Sequence, residues 1–204
     1  LTSDLTLNSD AAMAFDTFVP NAKNLELAGS STAEVSLGNL NIASSSIDVK
    51  GGSLNITGGS VGANGNLEIG GSGGLSIEGN LAVTGVLNLN DGATTTFAGN
   101  KIDVSGGTLK LAGTHSLNSI TTNDQTKLQI NNSANVSRTD SGTSKVGSLT
   151  YIQSGGSGSL SLSVANMGLT VNGSTSLSSQ QLALSNGILT FQSAPSLTNS
   201  SSLS

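Results

Sequence analysis

The sequence lacks cysteine and tryptophan, has four Phe and one Tyr, and contains only 9% charged residues. Without cysteine, neither disulfides nor thiolate metal sites can form. The seven Lys and Arg residues are scattered from Lys23 to Lys145, and the net charge is −5. Nucleic-acid binding requires clustered Lys and Arg, so this composition argues against it. Long apolar runs are also missing, which excludes a transmembrane helix in this piece.

What the chain does contain is a short apolar–polar–apolar pattern that returns about every twenty residues. Alternation with a period of two predicts a strand with one buried and one wet face. A near-constant return predicts that the same strand position recurs once per coil of a solenoid. The ten apolar pairs are Leu5/Leu7, Leu25/Leu27, Ile47/Val49, Leu67/Ile69, Leu87/Leu89, Leu109/Leu111, Leu128/Ile130, Leu149/Tyr151, Leu169/Val171 and Leu189/Phe191.

The pattern therefore predicts an all-β protein, a right-handed parallel β-helix of about ten coils with three short strands per coil. Irregular intervals between pairs favour this fold over left-handed helices, which are built on strict hexapeptides. Glycine-rich corners such as 51–52 and 70–71 permit the positive φ of a tight bend. Residues 1–204 form a single segment in this interpretation, an excised part of a longer surface protein. Residues 131–145, rich in Ser, Asn and Thr, are expected to leave the coil as a protruding loop.

The segment 65–99 reads GNLEIGGSGGLSIEGNLAVTGVLNLNDGATTTFAG, with short Leu-x-Leu strands separated by Gly, Ser and Asn. In this repeat style it resembles the passenger domains of bacterial autotransporter adhesins and filamentous-haemagglutinin-like exoproteins. The resemblance implies a secreted protein exposed at the bacterial cell surface, outside the outer membrane. It also implies a role in cell adhesion and virulence, with a host surface or glycan as ligand.

One set of polar residues is a candidate surface-binding site. Glu26, Asp48 and Glu68 each lie between the two members of an apolar pair, so in-register coils would stack them about 5 Å apart on the outward face. That spacing matches a retaining glycosidase pair. It also suits a weak divalent-cation or basic-partner site, while a solvated acidic stripe is the favoured interpretation. Lys50 lies on the same face as Asp48 and would offset the repulsion.

Other chemistries fit the sequence less well. The only histidine, His115, is next to Ser116, but strand neighbours point to opposite faces, which disfavours a catalytic triad. The segment Gly70–Glu78 has Leu75 where a calcium-binding nonapeptide repeat needs Asp. Thr150, Thr170 and Thr190 would form one outward column, whereas ice-binding arrays need two. No catalytic residue, cofactor or metal is therefore expected.

These observations predict a structural or adhesive, non-enzymatic role. Two alternatives stay open: a carbohydrate-active β-helix enzyme, such as a polysaccharide lyase or glycosidase, and an ice-binding protein. The partners expected are a host surface or glycan, or neighbouring copies or segments of the same protein. End-to-end self-association is expected because bare terminal coils expose unpaired strand edges. The bulky residues Met13, Phe15 and Phe18 make the first coil the better candidate for a cap.

Overall fold

The structure is a computed structural model that describes residues 1–29, 31–97, 102–140, 142–152, 161–178, 181–198 and 202–203. The chain divides into two compact units, Leu1–Asp103 and Val104–Ser204. The described residues form strands and turns without any helix, and they contain no apolar helix long enough to cross a membrane. The strand pairs that the described residues form within each unit are parallel, as predicted. The fold is a parallel β-solenoid of about eight turns.

The first unit builds each turn from an apolar pair and one or two following strands. Leu25, Leu27, Ile47 and Val49 are at most 2% exposed, which confirms the inward positions predicted from the alternation. The strands are β1 Leu5–Leu7, β2 Ala12–Phe18, β3 Leu25–Leu27, β4 Glu34–Ile42, β5 Ser46–Val49, β6 Ser53–Val61, β7 Asn66–Ile69, β8 Gly74–Ile77, β9 Leu81–Val83, β10 Val86–Leu89, β11 Thr94–Phe97 and β12 Ile102–Asp103.

Two sheets run through this unit. The first has the order β1-β3-β5-β7-β10, and it stacks the first apolar pair of each turn. In the second, β2 pairs with β4 and β4 with β6. Strand β6 then pairs with both β8 and β9, and these continue to β11 and β12 respectively. The second and third predicted strands of a turn are therefore continuous in β4 and β6.

The bend inside β4 lies at Gly38. Leu37 and Leu40 are both buried, a step of three that strict alternation does not allow, so the inward phase changes between them. A Cβ at Gly38 would lie 2.5 Å from the backbone oxygen of Asp16 in the preceding turn. Only glycine lets the chain turn this closely against its neighbour.

The first turn is less covered than those that follow. Leu5, Leu7, Met13 and Phe15 are half-buried, while Phe18 is 4% exposed. The rings of Phe15 and Phe18 lie with their centroids 5.4 Å apart in a tilted contact. The bulk predicted for this turn thus forms a small aromatic cluster rather than a fully buried core layer.

The second unit begins with a nine-residue strand and continues with longer and shorter elements. Leu109, Leu111, Leu128 and Ile130 are again at most 1% exposed. Its strands are β13 Thr108–Ser116, β14 Ile120–Thr121, β15 Lys127–Ser137, β16 Thr143–Val146, β17 Ser148–Ile152, β18 Ser161–Ala165, β19 Gly168–Val171, β20 Ser176–Ser178, β21 Gln181–Ser185, β22 Ile188–Phe191, β23 Ser196–Thr198 and β24 Ser202–Leu203.

The loop predicted at 131–145 is wrong. Residues 131–137 continue β15, and β16 occupies 143–146, so the two strands cover most of the segment. Ala134 and Val136 point inward and are buried, whereas Asn135 is exposed. The alternation is therefore present, but one of its inward residues is small and the outward ones are Asn and Ser.

Because 131–146 stays within the turn, the later apolar pairs stack differently from the prediction. Strand β15 pairs with β17 through its first half and with β18 through its second half. Strand β19 stacks on β16, placing Leu169 beside Ser144 and Val171 beside Val146. The pairs at 169–171 and 189–191 therefore belong to the sheet β16-β19-β22. Counting one turn for each pair overestimated the turns, which number about eight rather than ten.

Candidate functional site

The three predicted acidic residues do lie in line on the first sheet of the first unit. Glu26 on β3 is in register with Asp48 on β5, and Asp48 is in register with Glu68 on β7. Thr6 and Asn88 occupy the same position in the flanking turns. Each carboxylate comes from the polar residue between two buried apolar neighbours, so the core fixes its outward direction. We call Glu26, Asp48 and Glu68 the acidic column.

Lys50 ties two members of the acidic column together. Its Nζ donates to Glu26 Oε1 at 2.7 Å and lies 3.0 Å from Asp48 Oδ2. The Lys50 side chain is 50% exposed, so this pairing is screened by water and adds little stability. The hydrogen bond to Glu26 and, to a lesser extent, the hydrogen bond to Asp48 raise the pKa of Lys50 above its usual range. The ammonium group thus occupies the place between two carboxylates where an external cation would act.

The side chain of Asp48 is 28% exposed, less than the 37% of Glu26. Burial raises the pKa of Asp48 above its ordinary value of 3.8, although the hydrogen bond and charge of Lys50 act in the opposite direction. The neighbouring carboxylates Glu68 and Glu26 add a smaller upward contribution. Its Oδ1 atom is buried and accepts no hydrogen bond among the described residues. Desolvation therefore outweighs the ion pair at this position.

Glu68 has a different partner, which the sequence did not reveal. Asn90 Nδ2, one turn further on, donates to Glu68 Oε1 at 2.7 Å. A Cβ at Gly70 would lie 3.2 Å from that same nitrogen, so the missing side chain at Gly70 leaves room for the contact. The sequence gives only an indirect signal for these partners: Asn90 and Lys50 each lie two residues after a residue in the outward row that contains the acidic column.

A second side-chain ladder runs beside the column. Asp4 Oδ1 accepts from the backbone N–H of Asn24 at 2.8 Å, and Asn24 Oδ1 accepts from the N–H and hydroxyl of Ser46 at 3.0 and 2.9 Å. Each bond links one turn to the next along the stacking direction. This surface is thus connected by polar bonds between its own side chains.

The chemistry available to the acidic column is limited by these internal contacts. A general acid paired with a nucleophile needs two carboxylates free to face a substrate. Here Glu26 and Asp48 share Lys50, and Glu68 is bonded to Asn90. In the part of the chain that the structure describes, no group of three His, Asp or Glu side chains is arranged to hold a metal. The arrangement is that of a polar, partly neutralised stripe.

The other sequence candidates are also placed by the fold. His115 is 4% exposed and points inward in register with Val136, and its Nε2 donates to Ala112 O at 2.8 Å. Ser116 points outward, so the two do not form a catalytic pair. Thr170 and Thr190 stack as predicted, whereas Thr150 pairs with Gln129 in another sheet. The predicted column of three threonines therefore does not form.

No protein-family model matches the chain, and neither a curated protein nor a solved structure shows significant similarity to it.

Proposed function

We propose that the chain is a structural and adhesive, non-enzymatic segment of a secreted or cell-surface bacterial protein. The observation that carries the proposal is the parallel stacking of turns, in which each unit has a largely apolar interior and a polar outer surface. Stacked turns make a stable scaffold that needs no disulfide, and the scaffold presents outward side chains at a regular spacing. A host surface or glycan is the partner for such a surface.

The bonds between side chains of successive turns also support this proposal, because they order the outer surface. Side chains of successive turns bond to one another through Asp4, Asn24 and Ser46, and through Lys50 and Glu26. These bonds restrict the rotamers of the outward side chains that make them. A surface ordered in this way binds with a smaller entropic cost than a mobile one.

The test is adhesion by the folded chain. Purified protein coupled to beads is expected to bind cultured animal cells or immobilised glycans in a saturable manner. The matched control is Leu67→Asp, which places an unpaired charge at a fully buried position and should unfold the first unit. Folded protein that binds no cell and no glycan would contradict the adhesive role. Protease shaving of intact producing bacteria tests the surface location separately.

A carbohydrate-active enzyme is the second candidate, because Asp48 has a raised pKa and lies in register beside Glu26. The shared contact with Lys50 favours the non-enzymatic interpretation. Release of reducing ends from neutral or acidic polysaccharides, abolished in Glu26→Gln and in Asp48→Asn, would establish the enzyme instead.

A further inference from the structure

A cleft of about 350 Å³ opens on the outer surface of the first unit. It is lined by side chains and backbone from three consecutive strands, β2, β4 and β6, and by Glu78 directly after β8. Its floor carries Ala14, Ser36 and Asn55, which the strand register places in one outward row. We call this feature the corner cleft.

Four of the lining residues, Asp16, Gly38, Thr57 and Glu78, lie in one row across the bend of the chain. Gly38 has no side chain at the bend, between Asp16 of the preceding turn and Thr57 of the following one. Backbone hydrogen bonding from Glu78 N to Ile56 O places Glu78 next to Thr57 in the turn after that. This row therefore carries a carboxylate at each end, and Gly38 within it presents no side chain to the cleft. Three strand spacings separate Asp16 from Glu78, a distance of about 14 Å.

These two carboxylates differ from those of the acidic column. Asp16 and Glu78 are exposed, and neither makes an ion pair or side-chain hydrogen bond with any residue that the structure describes. Glu26, Asp48 and Glu68 already have partners. The corner cleft thus combines a concave surface with unused charge, which the acidic column does not.

Charge around the cleft has one sign. Residues 1–103 contain ten Asp and Glu residues against three Lys, and the sequences of β2, β4, β6 and β8 contain no Lys or Arg. Such a surface attracts cations and repels anionic chains, which disfavours acidic polysaccharides and nucleic acids. Between the carboxylates, the hydroxyl and amide groups of Ser36, Asn55 and Thr57 offer hydrogen bonds to a polar backbone.

We propose that the corner cleft binds an extended peptide segment carrying two basic side chains four residues apart. In an extended chain, residues i and i+4 lie on one face and about 13 Å apart, which matches the separation of Asp16 and Glu78. The peptide backbone would lie over Gly38, where no side chain obstructs it. This inference rests on the proposed adhesive function, for which it names a partner chemistry.

The probe is a fluorescent, end-blocked seven-residue Ser/Thr peptide with lysines at its second and sixth positions. Fluorescence anisotropy at low ionic strength is expected to show saturable binding that weakens as salt is added. Asp16→Asn and Glu78→Gln should each weaken binding roughly 2- to 5-fold, the effect of losing one exposed ion pair. Ser36→Phe, which fills the floor from an exposed position, should abolish binding while leaving the circular dichroism spectrum unchanged.

Two controls make the test specific. Asp91→Asn removes the same charge from an exposed turn outside the cleft and should leave the affinity unchanged. An isomeric peptide with its two lysines adjacent should bind more weakly, because it reaches only one carboxylate. Equal effects of Asp91→Asn and Asp16→Asn, or equal binding of both peptides, would overturn the proposal in favour of diffuse charge attraction. If peptide binding fails while beads still adhere to cells, only the cleft assignment falls.

Discussion

At the scale of single residues, Asp48 is subject to two opposed influences. Lys50 favours its charged form, while burial disfavours it, and burial is the larger effect. A carboxyl group whose pKa is higher in the folded than in the unfolded state destabilises the fold at every pH where both states are ionised. The cost is fully present above the folded pKa and disappears below the unfolded value of about 3.8.

Asp48→Asn should therefore make the folded state more stable at pH 7, because the amide has no charge to desolvate. The gain should shrink as the pH falls through the folded pKa of Asp48, and it should vanish near pH 3. Urea unfolding of both proteins at several pH values measures this difference directly. A variant that loses stability at pH 7 and regains it in acid would show that the pKa is lowered instead.

Lys50→Gln is the companion variant for the same site. It removes the only group that favours ionised Asp48, so stability at neutral pH should fall and the pKa of Asp48 should rise further. The side chain of Lys50 is half exposed and screened by water, so the expected loss of stability is small. Following the Asp48 carboxyl carbon by NMR during titration checks the direction of the shift.

At the scale of elements, substitutions in β15 can compare an inward with an outward position of the same strand. Val136 is fully buried and Asn135 beside it is exposed, although both lie in the segment whose composition predicted a loop. Val136→Asp should cost about 3–5 kcal/mol, because it buries an unpaired charge. Asn135→Asp adds the same charge on the wet face and should change the free energy of unfolding by less than about 0.5 kcal/mol. Equal, small effects would mean that the segment is a loop after all.

The strands were predictable wherever inward positions carry Leu, Ile or Val. The spacing of Leu25, Ile47 and Leu67 was enough to place Glu26, Asp48 and Glu68 in register. The loop prediction at 131–145 was wrong because Ala134 and Ser144 fill inward positions, and small residues give no hydrophobic signal. Backbone ladder bonds to β13 and β18 hold this segment in the sheet, and these bonds leave no trace in side-chain pattern.

The side-chain partners in the acidic column and the close approaches at the corner cleft depend on where glycines lie, and the apolar–polar alternation does not show them. Asn90 reaches Glu68 because Gly70 carries no side chain, and β4 approaches the backbone of Asp16 beside the corner cleft because Gly38 carries none. A glycine in a sequence marks a bend or a close approach, but it does not say which neighbouring side chain will use the vacant volume. The positions of single carboxylates were therefore predictable, whereas their partners were not.

At the scale of the whole molecule, uneven charge is the property with consequences for association. All charged side chains lie between Asp4 and Lys145, and the 59 residues that follow Lys145 carry none. Within the second unit, β22 ends the described order β16-β19-β22, and its Ile188 is 68% exposed. Strand edges that lack charged side chains are prone to pair with other chains.

We expect the purified chain to associate at high concentration through this uncharged, apolar strand. Ile188→Lys should suppress the association, because a lysine on an edge strand must be desolvated when another strand pairs with it. Gln192→Lys is the matched control, since it adds the same charge at an exposed position just beyond β22. Light scattering over a concentration series measures the apparent mass of all three proteins. A wild-type chain that stays monomeric throughout, or equal effects of the two lysines, would show that β22 does not mediate contact between copies.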